Sequence, residues 1–266
     1  MSGAALPDVI EQDWDAYTPE QHAVWRTLFR RQEAILAQRA CREFLGGLAG
    51  PGITADGIPE FRRLNQVLRA ATGWTVVAVP GLVPDAVFFE HLANRRFPAT
   101  CFIRSADQLD YLEEPDVFHD IFGHVPMLMN PVFADYMQAY GAGGLKALKL
   151  GGLHHLARLY WYTVEFGLIR TANGARIYGS GIVSSKGESI YCLESAVPKR
   201  LGFDLLRVMR TRYHIDDFQP IYFVIDSFEQ LFAATRPDFT PCYAALAASP
   251  DLEPETVLPE DRVIAP

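Results

Sequence analysis

The chain has 266 residues, 49% hydrophobic and 21% charged, with a formal net charge of −8 from 24 basic and 32 acidic residues. That length can bury a sizeable core as one large domain or two small ones, and the composition is that of an ordinary soluble globular protein. The acidic balance argues against wholesale phosphate binding, which needs a basic face, so nucleic acid is not expected as a partner.

In chain order, MSGAALPDVIEQDW lacks a basic segment followed by an apolar run and is not a signal peptide; residues 1–13 read as an N-terminal tail. Thr18 and Pro19 supply an N-cap and a first helical position. From Glu20 to about Leu45, Val24, Leu28, Ile35 and Phe44 recur among polar residues, which predicts one long amphipathic helix ended by Gly46 and Gly47. Pro59 opens a second helix, with Phe61, Leu64, Leu68 and Ala71 inward and Gly73 closing it. WTVVAV (74–79) is rich in β-branched residues and predicts a strand, cut off by Pro80 and Gly81. Pro84 starts a helix carrying Phe88, Phe89 and Leu92, and ATCFIR (99–104) predicts a second strand. A helix from Pro115 runs into FHDIFGHVP (118–126), another begins near Pro131, and a long one spans about Leu153 to Ile169. RIYGSGIVSS (176–185) is Gly-rich and β-like, KGESIYCLE reads as helix and QPIYFVI (219–225) as strand.

Beyond Arg236 the prolines and acids lack periodicity, so 237–266 reads as an extended or disordered tail. The four cysteines form no CxxC pair, which suggests neither a zinc knuckle nor a disulfide scaffold. No apolar stretch approaches the ~20 residues of a membrane span. The expectation is a cytoplasmic protein, mainly α with a small β component, as a single compact catalytic domain over 14–236.

His119 and His124 are five residues apart, which on a regular helix puts them about 140° from each other. Pro126 disfavours helical geometry at Val125, and Gly123 loosens the preceding turn. His124 is therefore expected at a frayed helix end, where the two imidazoles can converge on one point. Two imidazoles without a nearby cysteine suit iron or zinc. HExxH is absent, and the best third ligand is Glu165, a lone carboxylate among Trp161, Val164, Phe166 and Leu168. Glu165 could equally pair with an arginine such as Arg158 or Arg170, leaving the histidines as core residues. Two histidines and one carboxylate would leave open positions and favour ferrous iron that activates oxygen.

EEPDVFHDIFGHVP, LYWYTVEFGL, YGSGIVSSKGE and FQPIYFV, in that order, closely resemble the pterin-dependent aromatic amino acid hydroxylases, from about Trp14 to Leu231. The short length is similar to that of bacterial members. The resemblance implies Fe(II) held by His119, His124 and Glu165, the same three residues reached from the chemistry. It also implies a tetrahydropterin (tetrahydrobiopterin or a bacterial analogue) and O2 as co-substrate. The pterin would stack on Phe88 and bond to the Gly81, Leu82 and Val83 backbone, with Asp120 facing it through water and Glu188 on the same side. Some relatives carry the longer Glu where this chain has Asp120.

For the amino acid, the resemblance implies Arg104 on the carboxylate, oriented by Asp116, with Ser184 adding a hydroxyl and Tyr111 nearby. An ordinary Arg104–Asp116 salt bridge is the alternative. Animal relatives have threonine where Leu112 stands. The ring would lie among Trp161, Phe166, Pro115 and the face of His119. Tryptophan hydroxylases tend to have Phe where Trp161 stands, and tyrosine hydroxylases an acid where Ile215 stands. Phenylalanine to tyrosine is the expected reaction, with tryptophan 5-hydroxylation or a zinc hydrolase on the same ligands as alternatives. The sequence holds neither the regulatory domain nor the oligomerisation heptads of animal members, so a monomer is expected. A pterin-recycling enzyme would be its pathway partner.

Overall fold

In the computed structural model, which describes residues 8–110 and 114–265, twelve α-helices and six strands surround a core rich in aromatic side chains. The first two helices are α1 (Pro19–Leu36) and α2 (Arg42–Ala49). Thr18 accepts from the Gln21 N–H and Gln21 returns a bond to the Thr18 N–H, a capping box that fixes the start of α1. The single long helix expected over 20–45 is broken at 37–41. There Ala40 bridges Ile177, the Cys41 N–H donates to the Ile177 carbonyl, and the Cys41 thiol caps α2 at Phe44. A long-range backbone partner therefore overrides a periodicity that runs on through the break.

Next come α3 (Phe61–Thr72), closed by Gly73 at φ 77°, then β1 (Thr75–Val79), α4 (Asp85–Ala93) and β2 (Arg96–Thr100). β1 and β2 pair in parallel from Thr75↔Arg96 to Val79↔Thr100. The second strand thus starts three residues earlier than ATCFIR predicts and stops where Pro80 ends its partner. After a π-helical segment, Phe118–His124, come α5 (Val125–Leu128), α6 (Pro131–Leu150) and α7 (Leu153–Tyr160). α4 lies so close to α6 that a Cβ on Gly144 would sit 2.0 Å from the Phe89 ring, so only glycine fits there.

A second π-helical segment, Trp161–Glu165, ends the predicted 153–169 helix early, and Leu168 and Ile169 enter β3 (Leu168–Thr171). β4 (Gly174–Ile177), α8 (Ser180–Ser184), α9 (Lys186–Glu194), β5 (Lys199–Gly202), α10 (Leu205–Arg210), β6 (Ile221–Ile225), α11 (Phe228–Thr235) and α12 (Thr240–Ala247) complete the order. SGIVS (180–184), within the stretch read as β-like, is therefore helical. The four-stranded sheet runs β4-β3-β6-β5, with β6 buried at every residue, as its unbroken apolar run IYFVI requires.

The segments expected to be tails pack against this body. Ile10 bridges Ala78, and Gln12 bonds Pro59 and Phe61. Residues 237–265, part of the segment expected to be extended or disordered, hold α12, bridge from Leu252 to Thr211 just after α10, and return to the sheet where Val263 bridges Leu201 of β5. No helix among the described residues is long and apolar enough to cross a membrane.

Candidate metal centre and substrate cleft

The spacing of the histidines is explained by winding rather than by fraying. In a π-helix the backbone bonds run from i to i+5, so residues five apart lie on successive turns of one face. Residues 118–124 are wound this way, which brings His119 and His124 together with Nε2 to Nε2 at 3.2 Å. Pro126 favours this winding, since it has no N–H to give the Phe122 carbonyl its α-helical bond. Glu165 stands on the second π-helical segment, where the Phe166 N–H donates to the Trp161 carbonyl five residues back. Its Oε1 is 3.3 Å from His124 Nε2 and its Oε2 is 3.7 Å from His119 Nε2. One ligand atom from each of the three lies within 4.8 Å of the others.

The arginine alternative for Glu165 is not realised. Arg158 forks onto both oxygens of Asp251 at 2.7 Å, and Arg170 pairs with Asp226 at 2.9 Å. Burial lowers the proton affinity of His119, with the Glu165 charge opposing it. For Glu165 burial acts to raise the pKa, but the two imidazoles and the Ser180 hydroxyl bring it below the usual carboxylate range. Neutral imidazole and ionised carboxylate are the states in which these groups bind metal.

The tautomer agrees. The Ser184 hydroxyl donates to the Ser180 carbonyl at 2.7 Å, so its oxygen accepts from His119 Nδ1–H at 2.9 Å, leaving the Nε2 lone pair aimed at the cluster. Donor type, protonation and convergence all fit a divalent metal such as Fe(II). Ser184, expected to offer its hydroxyl to the substrate, bonds the ligand His119.

Arg104 and Asp116 form a buried fork. Arg104 Nε and Nη2 each donate to one Asp116 oxygen at 2.9 Å, and the Arg104 N–H adds a third bond at 2.9 Å. Asp116 also accepts from the His119 N–H at 3.1 Å, so the arginine is tied to the helix that carries the ligands. Burial raises the Asp116 carboxyl, but the Arg104 bonds and charge hold it below the ordinary value. Among the described residues Arg104 Nη1 has no protein partner and is available to an incoming carboxylate.

Trp161 stacks on Tyr213 (4.2 Å, 13°) and leans on Phe166 (4.7 Å, 31°), forming an aromatic wall, while Pro115 is half-buried. A cleft of about 690 Å³ runs from Trp161 and Tyr160 to Phe88 and Asp85. Phe88 meets Tyr160 edge-on at 5.8 Å, and Leu82 stands 77% exposed between Gly81 and Val83 in the loop that precedes it. Asp120 is 6% exposed, and its Oδ2 accepts from the Thr100 N–H (2.8 Å) and hydroxyl (2.9 Å). Burial raises its carboxyl to about 7. Tyr111 lies outside the described residues.

Sequence reasoning missed two polar residues. Ser180 donates to Glu165 Oε2 at 2.8 Å. Gln219 accepts from the Trp161 indole N–H at 3.0 Å, donates to the His214 and Asp217 carbonyls, and its N–H reaches Glu188 Oε1 at 3.2 Å. A polar side chain just before the buried run IYFVI is the only hint of Gln219 in the sequence, and nothing marks Ser180.

Glu188 is buried and accepts from the Tyr222 hydroxyl and the Gln219 N–H, and burial raises its carboxyl to about 7 from 4.5. A raised acid binds its proton more tightly in the folded state. Its contribution is therefore present at low pH and is lost as pH rises through about 7. Glu188→Gln, which cannot ionise, is expected to gain stability relative to the parent between about pH 4.5 and 8, by up to about 3 kcal/mol. Urea unfolding of both proteins across that range checks it. A flat difference would show that Glu188 titrates normally.

A family model described as biopterin-dependent aromatic amino acid hydroxylase matches residues 3–240. The phenylalanine-4-hydroxylase of Ralstonia nicotianae is 67% identical, covering 99% of this chain and 85% of that protein. The iron- and phenylalanine-bound crystal structure of phenylalanine hydroxylase from Chromobacterium violaceum has a TM-score of 0.94 at 59% identity, covering 99% of this chain and 96% of that one. The structure of that enzyme with iron(III) and the oxidised cofactor 7,8-dihydrobiopterin has a TM-score of 0.94 at 60% identity, covering 99% and 95%.

Proposed function

The chain belongs to the biopterin-dependent aromatic amino acid hydroxylases, and we propose that within the family it is a phenylalanine 4-monooxygenase that converts L-phenylalanine to L-tyrosine. The observation that carries this reading is the convergence of His119, His124 and Glu165 within 4.8 Å beside an aromatic wall and a buried arginine fork. Fe(II) held by those three would supply activation of O2, with a tetrahydropterin giving two electrons.

The chain's own residues do the rest. Arg104, held rigid by Asp116 through Nε and Nη2, offers its Nη1 side to the substrate carboxylate as a charge-assisted donor. Trp161 and Phe166, with Pro115, wall the ring, and their apolar faces suit an uncharged aromatic side chain. Phe88 offers a flat face for the pterin, with the Gly81, Leu82 and Val83 backbone and Glu188 as its polar partners. At neutral pH Glu188 lies near its midpoint, so it can accept or donate a hydrogen bond to that ring. Asp120, tied to Thr100, supports the β2 side of the ligand helix and acts on the pterin only across water.

The pterin leaves each turnover oxidised, so a separate enzyme must return it to the tetrahydro form. A cytoplasmic monomer is the assembly and location that we assign. Metal-stripped protein given Fe(II), a tetrahydropterin and either L-phenylalanine or L-tryptophan, with product read by mass, tests the reading. Tyrosine formed only with both iron and pterin is expected, at a kcat/KM at least tenfold above that for tryptophan. Preferred 5-hydroxytryptophan would reassign the substrate. Pterin-independent hydrolysis with Zn(II) would replace the reaction class.

A further inference from the structure

The helix α8 touches two of the three ligands. It lies between the π-helical segments with little clearance: a Cβ on Gly123 would approach the Ser180 carbonyl oxygen at 3.1 Å, and one on Gly181 would approach Glu165 Oε2 at 3.2 Å. A Cβ on Gly179, just before α8, would sit 2.4 Å from the Glu165 carbonyl oxygen. From this one turn Ser184 takes His119 Nδ1–H, and Ser180, 1% exposed, reaches Glu165. The Ser180 hydroxyl has one hydrogen and two acceptors, Glu165 Oε2 at 2.8 Å and the Val164 carbonyl at 3.1 Å. The ionised carboxylate is both nearer and the stronger acceptor, so the hydrogen goes there.

The terminal torsion of a glutamate is broad and close to two-fold, so an unrestrained carboxylate offers either oxygen, or both, to a metal. Here the two oxygens have different neighbours. Oε2 is held by Ser180 at 2.8 Å and lies 3.7 Å from His119 Nε2, while Oε1 comes nearer to the imidazoles, 3.3 Å from His124 Nε2. We propose that Ser180 is a positioning residue of the metal centre, whose hydroxyl holds Glu165 Oε2 and so presents Oε1 as the ligand oxygen; this rests on the three-ligand reading of the site. The Val164 carbonyl gives the hydroxyl a second acceptor, so its bonding is not lost when the carboxylate moves.

The test uses full-length protein stripped of metal and titrated with Co(II), whose visible absorption reports coordination number. Ser180→Ala is expected to raise the Co(II) dissociation constant about tenfold or more, in line with the loss of other outer partners of metal ligands. It should also weaken the visible bands, because a released Oε2 can join the coordination. Ser180→Thr, which keeps the hydroxyl, is expected to retain the parent spectrum. A role only in packing α8 would lower thermal stability without changing the bands. Parent affinity and parent spectrum in Ser180→Ala would overturn the proposal. Failure of the parent itself to bind Co(II) would instead overturn the three-ligand reading.

Discussion

Replacing Glu165 by glutamine is expected to lower metal affinity by three orders of magnitude or more and to abolish hydroxylation with it. Glu165 is the only anion in the donor set, and its side chain is 14% exposed, so solvent screens it weakly. A unit charge at about 4 Å contributes about 4 kcal/mol at an effective dielectric constant of 20, a factor near 10³, and a divalent ion roughly doubles that energy. The amide keeps the shape and one oxygen donor but none of the charge.

Without metal the carboxylate is held by His124, His119 and Ser180, which keep its pKa below the ordinary value, so its neutral replacement is expected to lower thermal stability at neutral pH. The parent should gain about 2.7 kcal/mol when Fe(II) is present at a hundred times its dissociation constant, and the variant should gain almost nothing. Thermal melts with and without metal, beside single-turnover assays, separate the two effects. A variant that keeps both its metal shift and its turnover would remove Glu165 from the site.

That the three ligands were legible in the sequence, while their geometry was not, has a physical cause. Residue type and isolation mark His119, His124 and Glu165 as costly to bury without a partner, and cost is a local property. The winding that joins them rests on backbone bonds five residues apart, which side-chain periodicity does not report, and α8 packs against it at Gly123. The arginine question had the same character. Arg158 and Arg170 were both available to Glu165 by sequence, and the choice was made by Asp251 and Asp226, far along the chain. The break at Ala40 and the early start of β2 were likewise set by distant strand partners. Short polar contacts such as those of Ser180 and Gln219 have no signature in periodicity, because a serine or glutamine at such positions looks like any other.

The second large effect is expected far from the cleft. Asp261→Ala should cost about 3–5 kcal/mol of stability, because it strands a buried arginine. The Arg207 side chain is 6% exposed and that of Asp261 5%. The guanidinium meets both Asp261 oxygens, with Nε to Oδ1 at 3.0 Å and Nη2 to Oδ2 at 3.2 Å. Its Nη2 also donates to the Thr256 carbonyl at 2.6 Å, and its face lies over the Phe223 ring of β6. Asp261 in turn accepts from the Leu258 N–H at 2.7 Å, so the pair shapes the loop as well as the contact.

For a chain of this size the loss corresponds to a fall in Tm on the order of 10 °C. Removing both charges should be far milder. Arg207→Met with Asp261→Leu leaves no unpaired ion, and most of the lost stability is expected to return. The consequence reaches the site through β6, since Tyr222 bonds Glu188 and Gln219 just before the strand holds Trp161. Asp261→Ala is therefore also expected to raise KM for the amino acid, because Trp161 is held from the β6 side. Urea unfolding of the single and double variants, with KM measured in each, checks both statements. A single variant within about 1 kcal/mol of the parent would mean that the C-terminal segment rests on the surface without bracing the sheet.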